Sequence, residues 1–397
     1  MRKTLFLIII SLCIGGFAFA EGQMEREAGA PAAPQQSEQG LRAEKITSES
    51  QLVGGPGAES QKGDFLLAND EIEVVIGAVD HYNGYAESGA HLLDATMAGA
   101  DNDMLDDIHT YYSWPKQIIY QSAMVVNSGE TGQKAVIEAR GHHSEYENLK
   151  MTTRYILEPG DNYITMETSM VHEGEETIEE MLLGDAAYFG YAGKSFINGL
   201  GFNVNEAHTI LAGGVGDGIS YGLTTNEVNP ETNELRKLYN EYIYLDPIVK
   251  EVTLEPGDTA SYSRQFIVGD GDIDSLLRTT YDIRDMETGS VSGVAVNTMG
   301  QNVGDAVVEF VQNEKVYSTV DTNTVGRFEA ELEPGTYTVK ARKDGYKPVE
   351  VGTVTVNADA KNRMGSVTMQ PVESNRYVWG PYLGEVHTDS MTVSGEL

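Results

Sequence analysis

The densest grouping of chemically capable side chains in this chain of 397 residues lies between positions 101 and 114. Asp101, Asp103, Asp106 and Asp107 place four carboxylates within seven residues, and His109 follows two positions on. Hard cations take oxygen ligands, so these four carboxylates define a candidate site for Ca²⁺. The run lacks the Gly at position six and the Glu at position twelve of an EF-hand loop, and a solvated acidic loop explains the same residues more simply. Beside them, His109, Tyr111, Tyr112 and Trp114 form a candidate ligand-binding group, because flat apolar rings with polar tips can stack on sugar rings. A place in the core explains Trp114 equally well. His142 and His143, next to Glu145, are of the types that serve as metal ligands or as an acid/base pair. Adjacent side chains of a strand point to opposite faces, so the two do not address one metal, and a surface strand end is expected there.

The elements that must position these groups read as strands. From Gly63 onward, short runs of alternating apolar residues recur, such as Ile72 to Ile76, Met151 to Leu157 and Tyr163 to Val171, punctuated by Gly, Asn, Asp and Pro. That texture is all-β. Leu-Glu-Pro-Gly occurs three times, at 157–160, 254–257 and 332–335. Pro presets φ at the second turn position and Gly supplies a positive φ at the third, so each is expected to be a type II turn joining two strands. One helix is expected, over Ile273 to Arg284, with Asp272 or Asp274 capping its first turn. A domain boundary is expected just after it, between 285 and 289.

Composition bounds the function. The chain has 27 Lys and Arg against 61 Asp and Glu, a formal net charge of −34. Such a surplus repels nucleic acid and anionic lipid rather than steering them in. Arg2 and Lys3, the apolar run from Leu5 to Ile14 and the small residues Ala18 and Ala20 form the pattern of a signal peptide over residues 1–20, which predicts a secreted or periplasmic protein. The apolar stretch is shorter than the roughly 20 residues a spanning helix needs, so the chain is not expected to span a membrane. Cys13 is the only Cys; Leu12 before it, where a lipoprotein signal has a small residue, makes lipidation the lesser reading. Residues 21–50, rich in Glu, Gln, Ala and Ser with Pro31 and Pro34, are expected to be a flexible linker.

Val291 to Val296, Asn302 to Val308, Thr322 to Phe328, Leu332 to Ala341 and Lys343 to Tyr346 together resemble the carboxypeptidase regulatory-like domain, a small transthyretin-like or Ig-like β-sandwich. The resemblance spans about 289–370 and implies a structural or adhesive role without a metal or nucleophile set of its own. Residues 51–285 resemble the galactose-mutarotase-like β-supersandwich through Gly63 to Asp70, Glu73 to Ile76, Gly89 to Ala95, Tyr155 to Asp161 and Phe266 to Asp272. In that family an Asn-His-x-Tyr-Phe-Asn-Leu segment carries a His; Asp185 to Tyr191 is similar to it, with Ala186 at the His position.

Residues 376–397 resemble the start of the fibronectin-like domain that precedes purple-acid-type metallophosphoesterases. Gly384 to Ser390 is also similar to the opening motif of polymerase-and-histidinol-phosphatase-type metallohydrolases, with Asp389 at the second His position. The segment is expected to be a truncated start of a further module, as unpaired strands or disorder. The reading reached is a secreted, non-catalytic protein of two β-sandwiches, with no catalytic residue assigned, binding a glycan or cell-surface partner or acting as a scaffold. The alternatives are the accessory region of a metallophosphoesterase or other metallohydrolase, and a degenerate sugar-active mutarotase-like enzyme.

Overall fold

A computed structural model of the chain describes residues 40–83, 86–112, 116–202, 207–226, 235–237, 244–245, 247–372, 382–387 and 390–394. The signal peptide, the lipidation question at Cys13 and most of the linker therefore lie outside the described residues. The linker expectation is shortened from its far end. Arg42–Lys45 forms an edge strand on Phe65–Ala68, with Ala43 buried in the core, because its alternate residues match the apolar face of the sheet beside it.

Two large antiparallel sheets make the first sandwich. In one, neighbouring strands run Arg42–Lys45, Phe65–Ala68, Ile72–Ile76, Leu92–Met97, Asp107–Tyr112, Ile178–Tyr188, Pro247–Leu254, Leu235–Lys237 and Ala207–Thr209. In the other they run Gly201–Phe202, Lys194–Ile197, Ala212–Val215, Ser220–Thr224, Thr259–Gly269, Tyr163–His172, Leu149–Leu157, Ala135–His143 and Ile118–Ser128. Tyr163–His172 alternates buried and accessible residues along most of its length, as a strand with one dry face must. Leu67, Val74, Ile76 and Ile108 of the first sheet meet Ile137, Met151, Met166 and Phe266 of the second in one core.

A buried ion pair crosses that core. Arg264, on the second sheet, donates through Nε and Nη2 to both oxygens of Asp185 on the first, at 2.7 and 2.6 Å. Its Nη1 donates to Thr168 Oγ1 at 2.7 Å and to the Met166 carbonyl at 2.9 Å, and Nη2 also reaches Thr110 Oγ1 at 2.7 Å. A guanidinium with its donors occupied can be held in a dry interior, where an unpaired one could not.

The helix forms over Ile273–Arg284, as the sequence predicts, with the Asp272 side chain accepting from Ser275 N at 2.8 Å. Its apolar residues Leu276, Leu277 and Tyr281 join Phe196 and Ile267 of the large sandwich to Tyr317, Val320 and Leu332 of the next one in a second core. Polar contacts follow the same path: Asp274 accepts from Glu331 N at 2.8 Å, and Thr319 Oγ1 accepts from Ile273 N at 3.2 Å. The helix is thus the joint between the sandwiches.

The second sandwich stacks two four-stranded sheets. One orders Arg327–Leu332, Gly289–Asn297, Lys361–Pro371 and Tyr346–Lys347; the other orders Lys315–Asp321, Val307–Gln312, Gly335–Arg342 and Val349–Val356. Of the three Leu-Glu-Pro-Gly turns, two are type II. Gly160 and Gly257 have φ of 76° and 88°, and Asp161 N and Asp258 N bond back to the Glu158 and Glu255 carbonyls. The third departs from expectation, because Gly335 already pairs with Val356 as the first residue of a strand, and this pairing, not the tetrapeptide, sets its backbone. The expectation of unpaired strands near the C-terminus is also corrected: Tyr382–His387 and Ser390–Ser394 pair with each other, since each satisfies the other's backbone groups. Among the described residues, no helix is long and apolar enough to cross a membrane.

Candidate functional site

Strand Asp107–Tyr112 divides its residues between two environments. Ile108 enters the core between the sheets, and Thr110 Oγ1 donates to Asp185 there at 3.0 Å. Asp107, His109 and Tyr111 therefore point to the sheet's outer face. In register on the neighbouring strand, Asp107 lies opposite Tyr188 and His109 opposite Ala186, so these four share that face. Segments 53–64 and 77–83 lie over it.

Three buried carboxylates organise that cover. Asp94 accepts from Glu59 N and Ser60 N at 2.9 and 2.8 Å. Asp64 accepts from Gln61 N and Ala78 N, both at 2.8 Å, and holds His81 Nδ1 at 2.9 Å. Asp103 Oδ1 accepts from Ala95 N at 2.9 Å and from Tyr221 OH at 3.1 Å. Burial, reinforced by the charge of Asp94, pushes the Asp103 carboxyl up to about 8 despite these donors. These acids fix loops in place of the backbone pairing that irregular chain lacks.

Asp107 is different. It is 1% exposed, and its hydrogen-bonding and ion-pair partners are two imidazoles rather than loop amides: His109 Nδ1 lies 3.0 Å from Oδ2, and His91 Nε2 lies 3.4 Å from the same oxygen. Burial alone would raise its carboxyl, but the His109 hydrogen bond and the nearby His91 outweigh it and bring the group down to about 2. An ionised carboxylate only accepts, so His109 Nδ1 carries a proton toward it, and Nε2 lies on the far side of the same ring. His109 is 3% exposed and stacks on Tyr188, with ring centroids 5.5 Å apart. Among the described residues, Asp107 Oδ1 and His109 Nε2 are buried with no hydrogen-bond or ion-pair partner, and His91 Nε2 has only its 3.4 Å ion pair with Asp107.

The remaining residues of the sequence reading divide as follows. Tyr111 is buried against Ala186 and Tyr188, so it is no open stacking platform; its position two residues beyond His109 puts it under the same cover. Tyr112 pairs with Leu183 through its backbone, and Trp114 lies outside the described residues. The four aspartates do not converge. Asp101 is exposed, Asp103 turns inward to amides, Asp106 accepts from Asn83 Nδ2 at 2.6 Å, and Asp107 pairs with imidazoles. Among the described residues, no group of three or more His, Cys, Asp or Glu is disposed to hold a metal ion. His143, expected at a surface strand end, is buried, with Nδ1 accepting from Glu145 N and Tyr146 N.

His91 was singled out by the sequence only within a run of strand and turn residues. Its distance from Asp107 along the chain carried no signal, because the two meet through the pairing of Leu92 with Ile108.

The fold defines an all-β protein of a large two-sheet sandwich followed by a small one. Residues 290–370 match the profile of the carboxypeptidase regulatory-like domain. Galactose mutarotase-like proteins are among the solved structures similar to this chain. One from Lactobacillus casei has a TM-score of 0.36 at 7% identity, covering 52% of this chain and 100% of that one. A TPR-domain containing protein from Parabacteroides distasonis has a TM-score of 0.40 at 11% identity, covering 60% of this chain and 57% of its own. A GH36 alpha-galactosidase from Geobacillus stearothermophilus has a TM-score of 0.39 at 11% identity, covering 60% and 46%. The chain thus spans little more than half of the Parabacteroides protein and less than half of the Geobacillus enzyme. No curated protein matches the sequence.

Proposed function

We propose that the large sandwich binds a saccharide over the His91–Asp107–His109 cluster, without catalysing its conversion, in an exported protein whose small sandwich serves as a scaffold. The observation that carries this reading is the pair of buried, unpartnered polar atoms in one cluster, Asp107 Oδ1 and His109 Nε2. Leaving such a group unmade costs about 1–3 kcal/mol. A ligand with adjacent hydroxyls suits this pair, since a hydroxyl can donate to Asp107 Oδ1 and can either donate to or accept from His109 Nε2. Entry requires Asn83 to part from Asp106, to which its Nδ2 donates.

Calorimetric titration of the full chain against a panel of mono- and oligosaccharides tests the reading. At least one is expected to bind, and His109→Gln, which removes the imidazole, is expected to weaken that binding at least tenfold. Absence of binding across the panel would sink it. Export is supported by the pattern at residues 1–20, and mass spectrometry of the protein from the periplasm or medium should find a chain beginning at Glu21.

An enzymatic reading has one observation in its favour. His109 is the cross-strand partner of Ala186, the position at which the mutarotase segment has His. An imidazole oriented by a carboxylate is suited to general acid–base work. Polarimetry of freshly dissolved α-galactose separates the two. The non-catalytic reading expects no acceleration, whereas acceleration that His109→Gln abolishes would make the protein an enzyme.

A further inference from the structure

The second sandwich differs in charge from the rest of the chain. Residues 290–370 hold eight Lys and Arg against ten Asp and Glu, so nearly all of the −34 lies elsewhere. On the open face of the sheet built on Gly289–Asn297 there is a depression of about 670 Å³, lined by Arg327, Arg363, Ser292, Val294, Ser366 and Glu329 among others. Register explains its shape. Within the depression the middle strand presents the side chains of Ser292 and Val294. Arg327 and Ser366 flank Val294, while Glu329 and Arg363 flank Ser292. The two arginines thus stand on opposite flanking strands, which are roughly 10 Å apart, with small residues between them. A register shift between Ser292 and Gly293 brings in Gly365, whose φ is 75° and whose missing side chain leaves open space above it. A glycine inside a strand marks a place where another group can approach the backbone.

Among the described residues, ion pairs in this sandwich join Arg342 to Glu309 and Lys343 to Asp305, and Arg327 and Arg363 enter none, although Glu329 shares their face. Guanidinium forks match oxyanions in geometry as well as charge. The acidic surface of the first sandwich does not forbid an anion here, because fields fall off over about 8 Å at physiological salt.

We propose that this trough is a binding site for an acidic saccharide, whose carboxylate or sulfate groups are gripped by Arg327 and Arg363 while its hydroxyls meet Ser292 and Ser366. The site is separate from the His109 cluster and stands whether or not that cluster binds a sugar. Its volume lies within the range of small-ligand sites.

The test is titration calorimetry of the full chain with trigalacturonate, a sulfated disaccharide, neutral galactotriose, a tri-glutamate peptide and inorganic sulfate, at low and physiological salt. Trigalacturonate or the sulfated disaccharide should bind, more weakly as salt rises, and the neutral trisaccharide should not bind at this site. Arg327→Gln and Arg363→Gln should each weaken binding at least tenfold, and Ser366→Glu, which adds a charge to the trough without removing an arginine, should do the same. His109→Gln should leave it unchanged. The proposal is overturned if neither acidic saccharide binds, if the arginine variants bind as well as the parent, or if the peptide or sulfate binds as tightly as the saccharides.

Discussion

At the scale of single residues, the same side-chain type serves different ends according to what it faces. Asp94 and Asp64 hold loops through backbone amides, Asp185 neutralises a buried guanidinium, and Asp107 orients imidazoles. In sequence these are four acids among 61. The Arg264–Asp185 pair gives the sharpest stability prediction. Replacing Arg264 by Met leaves Asp185 buried and uncompensated, which should cost about 3–5 kcal/mol in urea denaturation. Adding Asp185→Leu should restore most of the loss, since an apolar pair of similar volume has no charge to desolvate. A single variant within about 1 kcal/mol of the parent would show that the pair is not held as described. The sequence offered Asp107 as one of four clustered carboxylates and His109 as the neighbour of three aromatic rings, not as a pair. It could not offer His91, whose partnership depends on strands pairing across a loop.

At the scale of elements, local chemistry was legible where local forces decide. The helix forms over the expected residues because its cap, Asp272, and its apolar face lie within a dozen positions of each other. Two Pro-Gly turns form because their backbone preference agrees with the hairpins around them. Gly335 shows the limit, since long-range pairing with Val356 overrides the turn signal. Alanine substitution distinguishes the two cases. Gly160→Ala meets open space but must hold a φ of 76°, and should lose about 1–2 kcal/mol in thermal or chemical melts. Gly335→Ala has no left-handed backbone to hold and meets the flexible end of Gln312 first, so its loss should be smaller. Equal losses would mean that the third turn is of the same kind after all.

At the scale of the whole molecule, charge and burial together set an unusual pH dependence. Burial raises Asp103 to about 8 and Asp274 to about 6, the latter against the opposing charge of Arg278; burial, with repulsion from Asp270 and Asp274, also raises Asp272. Each holds in the folded chain a proton that the unfolded chain releases above about pH 4. Stability should therefore fall as pH rises from about 5 to 8. Asp107 works in the opposite sense below that range, contributing stability that is lost as pH falls from about 4 through 2. Thermal melts should give a higher Tm at pH 5 than at pH 8, and Asp103→Asn, which needs no proton, should flatten the slope. A Tm that rises steadily to pH 8 would refute this.

The sequence by itself determined the all-β class, the position of the helix, the second sandwich and the sign of the charge, because periodicity, turn residues and composition act over a few neighbouring positions. Only the tertiary structure decided which acids face amides, arginine or imidazole, that Tyr111 is enclosed, and that two arginines flank one trough. Those facts depend on sheet register, and register brings together residues such as Asp185 and Arg264 whose separation along the chain carries no information about their contact.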